Sequence, residues 1–146
     1  MSATNAFETQ LLELFFKNTT ASGIGDATGI TGSTVAGSYY ISLHTADPGE
    51  TGNQATSEAA YTSYARVAVA RSAAGWTVAG ASATNAGAIT FPAATGGTAV
   101  CTHFGIGTAS SGTGSLLFKG ALTASLSVSN GITPSFAVGA LTVTAD

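Results

Sequence analysis

Charge is what this sequence has least of. The 146 residues include four Lys or Arg and seven Asp or Glu, 8% in all, where an ordinary globular domain carries about 25%. Four basic side chains cannot neutralise many phosphates, so neither a nucleic-acid surface nor an anionic membrane surface is expected. One cysteine, Cys101, allows no internal disulfide, and its setting in TAVCTHFGIG reads as a small buried hydrophobe. No apolar run approaches the roughly 20 residues of a membrane span. The N-terminus lacks a basic region followed by a continuous apolar core, so no export signal is expected.

In place of charge there are small residues. Ala, Ser, Thr and Gly make up more than half of the chain. A surface with few repelling charges and few long, mobile side chains is inexpensive to cover with another protein.

One helix is legible. In NAFETQLLELFFKN, residues 5–18, Phe7, Leu11, Leu14 and Phe15 fall at i, i+4, i+7 and i+8 and make an apolar stripe. Leu12 and Phe16 widen it, which leaves Glu8, Glu13 and Lys17 for water. Asn5 is in place to cap the helix, with Glu8 three residues on. So short a helix is marginal alone and needs a partner surface, either its own domain or a neighbouring subunit. The following stretch, 19–37, holds five glycines and many Ser and Thr, and reads as a loop or flexible arm.

From Ser38 the period changes from 3.6 to 2. SYYISLH (38–44) puts Tyr39, Ile41 and Leu43 on one face, and YARVAVAR (64–71) alternates in the same way. Shorter runs follow at 75–80, 88–91, 98–107, 115–122, 124–130 and 140–144, mostly separated by Gly, Asn-Gly or Pro, while Pro134 demotes a further strand at 132–138 to an edge or a bulge. The expected fold is all-β: an antiparallel β-sandwich or jelly roll of about eight short strands with one N-terminal amphipathic helix. The expected organisation is a single domain, 1–146, with helix 1–19, Gly-rich arm 20–37 and β-sandwich 38–146.

Chemistry is hard to find. There is no G-x-S-x-G, and no pattern ties a Ser or Cys to His44 or His103; His103, in an apolar strand, reads as a histidine satisfied by a backbone partner. One Cys and two His cannot build a zinc site, and Asp47 and Glu50 lack the rest of a calcium loop. Asp47, Glu50 and Glu58 could supply a glycosidase carboxylate pair, but acids in one loop are usually only solvated. GIGDATG lacks the spacing and the flanking strand and helix of a phosphate loop. Trp76, Tyr39 and Tyr40 could stack on sugar rings, though core packing is the better reading. No catalytic residue, cofactor or metal is expected. In LHTADPGETGNQ (43–54), Pro48 ends strand pairing, Asp47 bonds the local backbone, Gly49 and Gly52 permit positive φ, and Glu50 and Glu58 keep the loop wet.

The order of segments, LFFKN, then YYISLHTADPGETGNQ, YARVAVAR, ITFPAATGG, THFGIGTASSGTG, LLFKGALTASLSVSNG and FAVGALTVT, resembles a family of small tailed-bacteriophage virion proteins often labelled tail fibre or minor structural proteins. The likeness covers almost the whole chain. It implies a non-enzymatic virion component, made in the bacterial host cytoplasm. Within the virion, the low charge and the apolar helix favour a capsid decoration (cement) protein on the outer surface of the head, bridging subunits of the major capsid protein. The alternatives are a small tail fibre, baseplate or tail-tip subunit, or a module that binds host glycans. A homo-oligomer is expected, trimer before dimer. The candidate assembly contacts are Phe7, Leu11, Leu14, Phe15, Asp47, Pro48 and Glu50.

Overall fold

The computed structural model describes residues 2–145, so the two terminal positions of the expected 1–146 domain lie outside the described residues. One helix, α1 (Asn5–Lys17), precedes nine strands: β1 (Ser38–His44), β2 (Val67–Ala70), β3 (Trp76–Ala79), β4 (Ser82–Asn85), β5 (Ile89–Thr90), β6 (Ala99–Gly107), β7 (Leu116–Val128), β8 (Ser135–Phe136) and β9 (Thr142–Thr144). They form sheets in the orders β2-β1-β6-β7, β3-β4-β9 and β5-β8, and the β1–β6, β6–β7, β3–β4 and β4–β9 pairs are antiparallel. The all-β expectation with a single N-terminal helix holds. Among the described residues, no helix is long and apolar enough to cross a membrane.

The chain gathers into two compact units. One comprises the residues up to Ser38, Ala70–Ala88 and those from Phe136 onward; the other comprises Tyr39–Val69 and Ile89–Ser135.

In the first unit α1 packs on the β3-β4-β9 sheet. Its buried residues are Glu8, Leu12 and Phe16. Phe16 and Trp76 are both fully buried, with ring centroids 4.6 Å apart, and Ala83, Leu141 and Val143 complete the core. This departs from the expected face: the docked row is 8-12-16, and Glu8 lies in it rather than in water. The predicted cap also differs. The helix starts after Thr4, which makes no side-chain capping bond, and the Thr9 hydroxyl lies 2.8 Å from Asn5 O and 2.9 Å from Gly80 O, joining the first turns to the β3–β4 loop.

The 19–37 segment contains no regular strand, yet side chains hold it. Asn18, left-handed at φ 59°, ends the helix, and its amide pairs with Ser33 as a strand would: Nδ2 donates to Ser33 O (2.8 Å) and Oδ1 accepts from Ser33 N (2.7 Å). Ala21 and Ile30 exchange both backbone bonds. Arg71 donates to Phe15 O (2.8 Å), Leu14 O (3.0 Å) and Ala36 O (3.1 Å), placing a cation on the carbonyl end of α1.

In the second unit β1 is central. It pairs with β6 from Tyr40↔Gly107 to His44↔His103. At its C-terminal end both faces are closed, with Ile41, Ser42, Leu43 and His44 all buried. β7 joins two segments that the sequence reading kept apart, 115–122 and 124–130; its register to β6 breaks between Cys101 and His103 and again between Ile106 and Gly107, so bulges carry it past the interruptions.

Candidate functional site

Four residue groups carry what chemistry this chain has. The first is the 43–54 loop. Asp47 Oδ1 accepts from Gly49 N (2.9 Å), an Asx turn, and Gly49 adopts φ 75° as expected. Gly52 does not have positive φ; it is required because any Cβ there would collide with Pro48 O. Pro48 is buried, and Asp47 and Glu50 are exposed. Lys119 Nζ of β7 sits 3.0 Å from Asp47 Oδ1 and 3.0 Å from Glu50 Oε1. The Gly49 amide and then Lys119 hold the Asp47 carboxyl below its ordinary pKa, and the two acids raise that of Lys119. Gly49, Glu50, Gly52 and residues 116–119 line a shallow cleft here.

The second group lies behind this loop. Glu58, assigned to water by the sequence reading, is instead the centre of a buried network. Its Oε1 accepts from Arg66 Nε (2.6 Å) and Tyr64 OH (2.9 Å), and its Oε2 accepts from Arg66 Nη2 (2.7 Å). Arg66, whose side chain is 2% exposed, also donates to Ala109 O (2.9 Å) and Gly112 O (2.6 Å), and Tyr64 OH accepts from Leu43 N (3.0 Å). Burial drives the Tyr64 phenol far above its ordinary pKa, and the Glu58 carboxylate raises that of Arg66. The structure therefore divides the three candidate acids. Asp47 and Glu50 share Lys119, and Glu58 is locked to Arg66. A glycosidase acid needs a raised pKa, and Asp47 is lowered.

The third group is a pair that the sequence reading missed. Ser42 and His44 share a face of β1, and their Oγ and Nε2 atoms are 2.8 Å apart. His44 Nδ1 lies 2.8 Å from the carbonyl of Thr56, which can only accept, so Nδ1 carries the proton and Ser42 donates to Nε2. The alternation Ser-x-His in one strand was the available signal. Hydroxyl, imidazole and orienting acceptor stand in the order of a nucleophile, its base and its positioning group. Both side chains are fully buried, however, so no substrate carbonyl can reach the hydroxyl. Burial also pushes the His44 pKa down. A Cβ on Gly105 would lie 2.7 Å from both His44 Nε2 and Ser42 Oγ, so only glycine fits there. His103 bonds Thr102 Oγ1 (2.9 Å) through Nδ1, a side chain where a backbone partner was expected.

The fourth group is the helix. Phe7, Leu11 and Phe15 are 39%, 38% and 39% exposed, and Leu14 is half-buried. The remaining candidates recede. Trp76 and Tyr39 are buried and offer no stacking platform, and Cys101 is buried with its thiol pKa raised. Among the described residues no three metal-ligating side chains cluster.

Asp47, Glu50 and Lys119 are thus spent on each other, as are Glu58 and Arg66, and apolar side chains on one flank of α1 face out. A family model, podophage GP4 fiber I protein gp80, matches residues 2–144. The chain belongs to that family, and so to a class of phage virion structural proteins. No curated protein matches it significantly. Two of the segments that carry the sequence resemblance have physical reasons here: Tyr64 and Arg66 build the Glu58 network, and Gly105 of THFGIG admits the Ser42–His44 pair.

Proposed function

We propose that this chain is a non-enzymatic structural subunit of the tail-fibre apparatus of a phage virion. The observation that carries this reading is the match to a fibre-protein family over nearly the whole chain. The family's printed description fits this reading better than a capsid-decoration role, which rests on low charge and an apolar helix, features that suit any heavily contacted virion subunit. The outward flank of α1 (Phe7, Leu11, Leu14, Phe15) and the Asp47–Glu50 loop serve as contacts with neighbouring virion proteins. The satisfied networks behind that loop keep it in one shape. No cofactor takes part.

Copy number tests this. Quantitative gel densitometry of purified particles against the major capsid protein gives few copies per virion for a fibre component. A count comparable with that of the capsid protein would restore the decoration reading and remove this one.

A further inference from the structure

The sheet β2-β1-β6-β7 has two outer strands, and they are finished differently. β2 is four residues long, with Arg66 before it and Arg71 after it. A short edge set between charged residues is poorly suited to further pairing. β7 is thirteen residues long, contains no proline, and its one charge, Lys119, is drawn onto Asp47 and Glu50. It pairs with β6 alone. Beyond that ladder, among the described residues, no backbone hydrogen bond reaches Leu116, Leu117, Lys119, Gly120 or Ala121. The register holds as far as Ala121↔His103, and the chain then bulges before Leu126↔Cys101. The flat edge is therefore 116–121, roughly 20 Å long at about 3.4 Å per residue. The cleft beside the 43–54 loop, about 110 Å³, runs along this edge. Successive residues 116–119 line it, and successive side chains point to opposite faces, so its wall is the side of the strand. Gly49, Glu50 and Gly52 make the other wall.

We propose that the 116–121 edge of β7 takes up an extended segment of a different virion protein as an added strand, and that this segment carries a basic residue which meets Asp47 and Glu50. The kind of occupant follows from the edge. A row of backbone N–H and C=O groups at strand spacing is matched by another extended backbone, and not by a helix, whose own groups are already bonded. The charge of the occupant follows from the mouth of the cleft. Asp47 and Glu50 share one cation, Lys119, so two carboxylates against one ammonium leave a net charge of −1, beside a Glu50 side chain that is 91% exposed. A second copy of this chain does not supply the complement. Of its four basic residues, Lys17 pairs with Glu13, Arg66 with Glu58, Arg71 holds the end of α1, and Lys119 already stands in the cleft wall. Two copies meeting edge to edge would set one net negative mouth against another. The inference rests on the reading of the chain as a virion subunit, and names the kind of partner that its Asp47–Glu50 loop contacts.

Hydrogen exchange, read by mass spectrometry on purified particles and on the isolated full chain, tests it. About half of the amides in the peptide covering 116–121, those turned away from β6, exchange at least about tenfold more slowly in the particle. In the isolated chain their rate does not change with protein concentration. Variants made in competition with wild type give the second arm. Glu50→Lys turns the mouth positive and is incorporated into particles at least about tenfold less than wild type, and Glu50→Gln is reduced by a smaller factor. Glu50 is exposed, so both variants keep the wild-type circular dichroism spectrum. Equal exchange of 116–121 in particle and isolated chain, protection that grows with concentration in the isolated chain (a second copy), or Glu50→Lys incorporated like wild type overturns the proposal. A chain absent from purified particles would sink the virion reading itself. A chain present in them with this edge exchanging freely sinks the added strand alone.

Discussion

In one unit of this chain Phe16 lies on Trp76, and the indole Nε1 is buried without a hydrogen-bond partner; in the other, Glu58, Tyr64, Arg66, Ser42, His44 and Gln54 are buried or half-buried and bonded. The outer surfaces differ in the opposite sense. Among the described residues, Phe7, Leu11, Phe15, Ile30, Val35 and Val138, all large and exposed, belong to the first unit, and only Val100 and Ile132 to the second. The first unit holds its helix by apolar contact and leaves apolar surface outside. The second fixes irregular loops with polar networks and keeps its surface small-residued. A loop lacks the repetitive bonds of a helix or sheet, so its backbone groups need side-chain partners. Gln54 shows how: Oε1 accepts from Ala109 N (2.9 Å) and Nε2 donates to Tyr40 O (3.2 Å). The difference is one of outer surface, more apolar on the first unit than on the second; both units fix irregular backbone with side-chain partners, Asn18 and Arg71 in the first and Gln54 in the second.

The strongest tests cut each unit at its own kind of joint. Arg66→Met leaves Glu58 half-buried and unpaired and frees two loop carbonyls, and is expected to destabilise by about 3–5 kcal/mol in urea unfolding. Phe16→Ala opens a cavity against Trp76 and is expected to lose a similar ~3–5 kcal/mol, read by tryptophan fluorescence. Adding Glu58→Gln to Arg66→Met recovers part of the first loss, because no buried charge then stands alone. No such partner substitution exists for Phe16. If the Arg66 loss were as small as that of an exposed pair, the contrast between the units would fail.

A smaller effect comes from pH. His44 is neutral when folded, and burial lowers its pKa below the ordinary 6.5. Below about pH 6.5 the unfolded chain therefore takes up a proton that the folded chain resists, so the His44 contribution is full above that pH and is lost as pH falls toward the folded pKa. The slope is at most ~1.4 kcal/mol per pH unit, and His44→Gln is expected to remove it from urea midpoints measured across this window. The smallest effect is at Lys119→Met. It releases the exposed Asp47 and Glu50 carboxylates at the surface, and the melting temperature is expected to stay essentially where it was.

Patterned residues were readable in advance and partnered residues were not. β1 begins and ends where the alternation of SYYISLH places it, and α1 is one residue shorter than its 3.6-residue period implies. β4, SATN, was invisible because it has no large apolar residue; it is buried through Ala83 and Asn85, whose amide bonds Ala137 O, Gly87 O and Leu141 N. Glu8 hid the docked row of α1, since an acid reads as solvent-facing. Glu58 was misread for the same reason, and its partner Arg66 is eight residues away across an irregular turn. Of the candidate contacts, Phe7, Leu11, Phe15, Asp47 and Glu50 are exposed, Leu14 is half-buried, and Pro48 is buried and shapes the loop from within.

The contact role proposed for the α1 flank is tested most directly by a cryo-EM map of the virion that resolves this chain. The account predicts density at the tail, with the Phe7–Leu11–Phe15 flank of α1 covered by a neighbouring subunit. The same flank facing solvent, with neighbours touching the second unit alone, would contradict it.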